Sequence, residues 1–406
     1  MDTLHPSTID MGLDRIALVA NIMELNHIAP VVITVAGTNG KGSCVAILAA
    51  ILKAADYRVG CYTSPHLLRY NERVIVDDKE AGDAELCAAF ARVDAARGDT
   101  TLTYFEFGTL AALDLFKRAS LDVAILEVGL GGRLDAVNIV DPDMSLITSI
   151  GIDHVEYLGH DRESIAVEKA GVLRNGLPSV CGDPNPPDAL LDCARDKSVP
   201  LMCINRDFCY ETDNQQWSWW HGSHRYENLP APALFGDVQL TNAASVLMVL
   251  EELAKRLPVS EDAIRQGLKV VSLPGRFQVV PGDVEQILDV CHNPDGARAL
   301  AASLSTRPVK GRTHAVIAML ADKDIEGVVK AMGQVVNSWH VASLDVPRGA
   351  DREVLADVIK SAGIDENVQI YQDVDSARQG ALNKAKTGDR VVIFGSFYTV
   401  GQALQQ

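Results

Sequence analysis

The chain has 406 residues, 47% of them hydrophobic and 22% charged, which is enough for two or three domains with buried cores and excludes a disordered or collagen-like polymer. Lys and Arg number 37 against 54 Asp and Glu, a net charge of -17. That field repels nucleic acid and anionic membranes, so an anionic substrate must be held by local groups.

The first residues, MDTLHPSTID, have no basic segment followed by an apolar run, and no apolar stretch reaches a membrane span, so a cytoplasmic protein is expected. Eight cysteines (44, 61, 87, 181, 193, 203, 209 and 291) are scattered with no CxxC pair, as expected of reduced and mostly buried thiols. VVITVA at 31–36 is a β-branched strand that stops at glycine, and CVAILAAILKAADY after it has the length and apolar spacing of a helix. LDVAILEVG (121–129) and DMSLITSI (143–150) are further buried strands, with helical AELCAAFARVDAAR and EFGTLAALDLFKRA also in this region. Strands alternating with helices predict a mostly parallel sheet covered on both faces. Between about 200 and 229 the short runs read as a small β-meander that Trp217, Trp219 and Trp220 pack and cap. From 284 the alternation restarts, with five strands (VEQILDV, THAVIAML, HVASLDV, VQIYQD, RVVIFGS) and helices near 294–304, 325–336, 351–361 and 374–386. The expected organisation is an α/β nucleotide-binding domain over 1–275, a Pro- and Gly-punctuated linker over 276–283 and a smaller α/β domain over 284–406.

GTNGKGS at 37–43 sits between the first strand and the first helix. Glycines let backbone N–H groups approach phosphate oxygens, the helix N-terminus adds partial positive charge, and Lys41 neutralises the β and γ phosphates. The spacing departs from GxxxxGK[ST], with Val at 35 and Gly42 inserted before Ser43, yet Gly37, Thr38, Asn39, Gly40, Lys41, Gly42 and Ser43 still read as the ATP-phosphate loop. Glu127 is expected at the C-terminal end of its strand beside that loop, where open α/β sheets bind ligands. GLGGRLDAVN at 129–138 is too glycine-rich for a plain turn and suggests backbone lying close to a substrate. A GTPase would need an NKxD element, which does not follow, and a small-molecule kinase could stop at one domain. Two α/β domains suggest instead a substrate joined to ATP chemistry across a cleft.

TIDMGLDR (8–15), TVAGTNGKGS (34–43), YTSPHLLRYNERV (62–74), TYFEFGTLAAL (103–113), ILEVGLGGRLDAVN (125–138), SIGIDHVEYLGHDRESIAVEKAGVLR (149–174), LPGRFQ (273–278), DVCHNPDG (289–296) and GSFYTVG (395–401) together resemble the folylpolyglutamate synthase family of the Mur ligase superfamily. Cys291 stands where many relatives have Ala, and Val137 where many have Thr. The resemblance implies a P-loop NTPase-like N-terminal domain and a ligase acting on ATP, a pteroate or reduced folate, and L-glutamate. The carboxylate would be phosphorylated and the acyl phosphate attacked by the glutamate amine, chemistry dominated by charge stabilisation and positioning. It further implies Mg²⁺ at two sites, with Ser64 and Glu127 at one and His154 and Lys169, carboxylated on its amine, at the other. Lys41, Glu127, His154 and Lys169 would form the catalytic set. Asn242, Arg276 and Asp289 would contact ATP, and His292 and Ser396 the glutamate. Thr8, Ile9, Asp10, Met11, Thr103, Tyr104, Phe105, Glu106, Leu134, Asp135 and Ala136 would surround the pteroate. Phe105 would stack on the pterin, and Asp135 would accept from its N–H groups. Taken alone, Phe105 reads as core, His154 as a structural histidine oriented by Asp153, and Lys169 as a solvated helical lysine. A non-catalytic nucleotide switch and a UDP-peptide cell-wall ligase are the competing classes, but the latter's extra N-terminal domain has no room before residue 37. The expected partners are small molecules alone, with the chain acting as a monomer.

Overall fold

A computed structural model describes residues 10–213, 216–363 and 367–405, so Thr8 and Ile9 lie outside the described residues. The chain forms two compact units, the first running up to Ala233 and including Gln239–Ser272, the second made of Leu234–Val238 and the chain from Leu273 onward.

The first unit is built on eight strands: β1 (Val31–Ala36), β2 (Val59–Tyr62), β3 (Val74–Val76), β4 (Lys79–Glu80), β5 (Val123–Glu127), β6 (Met144–Ile147), β7 (Ser179–Cys181) and β8 (Leu201–Cys203). Their order is β4-β3-β2-β5-β1-β6-β7-β8, parallel except that β3 is antiparallel to both β2 and β4. β1 and β5 are central and buried throughout, which explains their continuous apolar sequence in place of alternation. Burying one Val or Ile side chain there contributes about 2 kcal/mol. Helix Lys41–Ala54 buries half of its residues, and Tyr104–Ala119 and Val238–Glu252 bury most of theirs.

The expected meander begins later than the sequence texture implies. β8 completes the large sheet, and β9 (Phe208–Asp213), β10 (Gln216–His221) and β11 (His224–Pro230) form the antiparallel meander. Trp217 and Trp219 are fully buried and donate their indole N–H groups to Pro230 O (2.9 Å) and Ala244 O (3.1 Å). Trp220 is half-buried, with Arg225 4.9 Å over its ring. Cys44, Cys61, Cys181, Cys203 and Cys291 are buried thiols, whereas Cys87 is exposed.

The second unit has six strands, β12 (Gln278–Val280), β13 (Glu285–Asp289), β14 (Thr313–Ile317), β15 (Ser338–Ala342), β16 (Val368–Tyr371) and β17 (Arg390–Phe394), in the order β12-β13-β17-β14-β15-β16. Only β12 runs antiparallel. Residues 276–283, expected as a linker, supply β12 and belong to this unit, which takes in the chain from Leu273. Two antiparallel strands need only a short turn, so Pro281 and Gly282 make a hairpin there instead of an interdomain tether. A polar row crosses this sheet from the start of β17 to the end of β16. Asp389 Oδ2 lies 3.2 Å from His314 Nε2, His314 Nδ1 2.7 Å from Ser338 Oγ, Ser338 Oγ 3.4 Å from His340 Nε2, and His340 Nδ1 3.0 Å from the Tyr371 hydroxyl.

Candidate active site

In the first unit the phosphate loop leaves the buried end of β1 and enters the helix Lys41–Ala54 at Gly40. Gly40 has φ +89°, and a Cβ there would lie 2.6 Å from Asn242 Oδ1, so both conformation and space demand glycine. The loop is tied to the chain beyond β6. Thr38 N–H donates to Ser149 O (2.6 Å), Thr38 Oγ1 to Gly151 O (3.0 Å), and Thr148 Oγ1 to Asn39 O (2.7 Å). Lys41 Nζ donates to Gly37 O (3.0 Å) and Thr38 O (3.1 Å), which holds its ammonium within the loop. The Asn242 amide donates to Gln239 Oε1 (3.0 Å), so the helix Val238–Glu252 fixes the side chain that covers Gly40.

Glu127 is the last residue of β5 and pairs in register with Val35 of β1, which places it beside the phosphate loop as the sequence leads one to expect. It is 5% exposed, and its Oε2 accepts the Ser64 N–H at 3.3 Å, which brings together the two residues expected at one cation. His154 has φ +52°, its N–H donating to Asp153 Oδ1 at 2.8 Å, with Asp153 Oδ2 4.0 Å from His154 Nε2.

Lys169 overturns its solvated reading. It ends the helix Arg162–Lys169 at 3% exposure. Burial, reinforced by the charge of Lys41 and opposed by Asp153 and Asp135, pushes its amine down to about 7. Those charges identify its neighbours, so Lys41, Asp135, Asp153 and Lys169 share one region. The glycine-rich segment expected to lie against a substrate lies against this helix. Arg133 N–H donates to Glu168 O at 2.8 Å, and buried Asn138 donates from Nδ2 to Arg133 O (3.0 Å) and Gly171 O (3.1 Å). A Cβ on Gly171 would lie 2.2 Å from Arg133 Cα.

Residues 10–11, the TYFE segment and the glycine-rich loop that carries LDA are brought together in this unit. Arg15 pairs with Asp10 (2.9 Å) and Glu106 (3.2 Å), and Met11 approaches Gly131. Thr103 and Glu106 also cap the helix Tyr104–Ala119 reciprocally, at 2.7 and 3.2 Å, so their polar atoms have a structural use. Phe105 stacks on Tyr62 (5.9 Å, 28°) and lies against Gly129, a packing role that its isolated reading anticipates. Tyr104 meets Tyr70 edge-on, with the buried Arg73 5.7 Å from the Tyr104 ring. Leu134 is half-buried and Ala136 buried. Asp135 is 4% exposed and accepts the N–H groups of Leu130 (2.8 Å) and Val137 (3.0 Å). Burial outweighs those bonds and pushes its carboxyl up to about 6.

In the second unit the ends of the adjacent parallel strands β13 and β17 gather the remaining candidates. Asp289 ends β13, accepts from Phe277 N–H (2.9 Å) and Cys291 N–H (2.8 Å), and has its carboxyl raised by burial against the opposing charge of Arg276. Arg276 lies 5.3 Å over the Phe397 ring, and His292 stands 6.4 Å from it. Ser396 is the N-cap of the helix Phe397–Leu404, its Oγ accepting the Thr399 N–H at 3.0 Å.

Sequence reasoning assigns no role to Arg162, Asp183 or Asn138, which hold these loops. Charge burial is not written in a sequence, although Gly-Asp-Pro after the strand SVC marks Asp183 as a strand-end residue. Among the described residues no three His, Cys, Asp or Glu side chains cluster closely enough to hold a metal alone, and no helix is long and apolar enough to cross a membrane.

Residues 35–179 match the Mur ligase middle domain, and residues 275–397 match the glutamate ligase domain of Mur ligases. The dihydrofolate synthase/folylpolyglutamate synthase of Escherichia coli is 45% identical over 405 residues, covering 100% of this chain and 93% of its own. A structure of E. coli FolC in complex with DHPP and ADP superposes with a TM-score of 0.95 at 45% identity, covering 100% of this chain and 95% of that one. A bifunctional folylpolyglutamate synthase/dihydrofolate synthase with Mn, AMPPNP and L-glutamate bound gives a TM-score of 0.92 at 46% identity, over 99% and 95% of the two chains.

Proposed function

The chain belongs to the dihydrofolate synthase/folylpolyglutamate synthase family of Mur ligases, and from that premise we propose that it uses ATP to join L-glutamate to 7,8-dihydropteroate and to reduced folates. The observation that carries the reading is the grouping, in one unit, of a phosphate loop, a buried carboxylate at the end of β5 and a buried lysine near neutrality. An amine pushed down to about 7 is half neutral at neutral pH, against about one part in three thousand for an ordinary lysine. Only the neutral form attacks carbon dioxide, so Lys169 is suited to becoming a carbamate, which would replace a repelling ammonium by anionic oxygens.

Glu127, Ser64 and a carbamate on Lys169 are oxygen donors of the kind hard divalent cations take, commonly with only one or two carboxylates beside substrate phosphates, whereas His154 offers an imidazole nitrogen. Glu127 and Ser64 would hold one cation, and His154 with carboxylated Lys169 a second. A bound Mg²⁺ supplies charge stabilisation to the phosphoryl oxygens. The protein's own part is positional. Lys41 exchanges the carbonyls of Gly37 and Thr38 for the β and γ phosphates, and the N–H groups entering the helix Lys41–Ala54 receive the phosphate oxygens. Asn242, Arg276 and Asp289 are assigned to ATP, and His292 and Ser396 to L-glutamate. The acceptor carboxylate takes the γ-phosphoryl group, and the glutamate amine then displaces phosphate to form the amide. The segments at 10–11, 103–106 and 134–136 are assigned to the pteroate. Asp135, raised to about 6, is the polar group offered to the pterin N–H edge, although its oxygens already serve its own loop. We further assign the chain to the cytoplasm, as a monomer.

Release of ADP with dihydropteroate and with tetrahydrofolate, each with and without L-glutamate, tests this. Glutamate-dependent release on both acceptors is expected. Release on tetrahydrofolate alone would reduce the chain to a polyglutamate synthase, and none on either would overturn the reading.

A further inference from the structure

We propose that the ion pair of Arg162 and Asp183 is the positioning device that sets His154 and Lys169 in register to share a divalent cation. The inference rests on the reading of those two residues as ligands. Asp183, just beyond β7, is 4% exposed, and its Oδ2 accepts both the Ile150 N–H (2.7 Å) and Arg162 Nη2 (2.9 Å). Oδ1 accepts the Asn185 N–H at 2.9 Å. Arg162 Nε donates to Ile150 O at 2.7 Å. One ion pair therefore grips both the N–H and the C=O of Ile150, and the adjoining Gly151 is the residue that Thr38 of the phosphate loop binds. Four residues past Ile150 is His154.

Arg162 is also the first residue of the helix that ends at Lys169. An eight-residue helix is stiff and about 10 Å between its end residues. Any displacement of Arg162 is thus carried to Lys169, while the same guanidinium holds the loop leading to His154. The two ligands come from separate segments, and this pair is a shared anchor for both. Asp161 caps the helix by accepting the Ser164 N–H at 2.8 Å, so the helix keeps its own start when Arg162 is changed.

The test uses the full chain and three variants, Asp183→Asn, Arg162→Lys and His154→Ala. Mn²⁺ is titrated in the presence of a non-hydrolysable ATP analogue, with the free ion followed by electron paramagnetic resonance. Lysine carbamate is followed by carbon NMR in ¹³C-bicarbonate, and folding by thermal melting. Outer-shell partners of metal ligands are worth about 10- to 100-fold in metal affinity. Folded Asp183→Asn and Arg162→Lys should weaken about tenfold the Mn²⁺ site that His154→Ala abolishes and lower the carbamate signal, while the Mn²⁺ site that His154→Ala spares keeps its affinity. If His154→Ala removes one Mn²⁺ site while the folded Arg162 and Asp183 variants bind it like the unchanged chain, this inference falls and the ligand reading stands. If His154→Ala removes no site, the ligand reading falls and takes the inference with it. Should Asp183→Asn fail to fold, Arg162→Lys, which keeps the charge and loses the fork, decides.

Discussion

A lysine buried to 3% exposure is costly to the fold. Its pKa falls from 10.5 to about 7 on folding, so between those values the unfolded chain binds more protons and stability rises with pH. Below about 7 the full cost of a buried cation is present. Lys169→Met in buffer free of carbon dioxide should therefore melt above the unchanged chain at acid pH, by a few kcal/mol, with the advantage vanishing toward pH 10.5 while ligase activity is lost throughout. A melting difference that is flat with pH would contradict the assignment. Lys41→Ala should lower ADP release by about a hundredfold or more, as measured by coupled assay, since it removes the cation meant for the transferred phosphoryl group. Lys41 was legible because glycine, strand and helix frame it in sequence. Lys169 taken alone was not, because it is buried against the glycine-rich segment some 35 residues earlier, which no local pattern carries.

At the scale of elements, the joint between the glycine-rich segment and the helix Arg162–Lys169 depends on missing side chains. Gly171→Ala would drive a methyl into Arg133 Cα, where the atoms that must yield are backbone. It should destabilise the chain by about 2 kcal/mol or more, read by urea denaturation, and lower glutamate-dependent ADP release through Lys169. A cost within a few tenths of a kcal/mol would show that the two segments part freely. β1 and β5 were legible as apolar runs and the five parallel strands of the second unit from the alternation of strands with helices, and the helices at 294–306 and 374–384 follow their patterns to within a few residues. β7, β8 and β12 were not, since three residues are too few to display a period of two. β12 in particular hides between a proline and a glycine that sequence reading takes for a tether.

For the whole molecule, -17 charges surround a site that must admit ATP and a carboxylate. Far from the phosphate loop the substrate meets net repulsion, which salt screens over about 10 Å at 0.1 M. Added salt should therefore raise kcat/KM for ATP at low ionic strength, in stopped-flow or steady-state assays, before it weakens the local contacts. A decline from the outset would mean that the basic residues at the site dominate at long range as well. The total charge is plain in the sequence, whereas its distribution over the two units emerges only with the fold.

The polar row in the second unit can be read as a ledger of protons. Asp389 is held below the usual carboxylate range because, although burial raises it, the N–H groups of Arg312 and Lys386 and the His314 imidazole outweigh that effect. It can only accept, so the hydrogen of its bond with His314 sits on Nε2, and His314 Nδ1 bonds the Ser338 hydroxyl at 2.7 Å. His340 is then left facing the Ser338 oxygen on one side and, on the other, a phenol that also donates to Gln369 at 2.7 Å. Neutral His340 can supply hydrogen to only one of these neighbours, and a second proton would be needed to serve both. Burial is the first of the forces that hold His340 down to about 4 and keep that proton out. The Nε2 hydrogen of His314 is therefore fixed while His340 is free to alternate, so two histidines packed side by side in the same sheet have unlike chemistry, decided by a carboxylate that bonds only one of them.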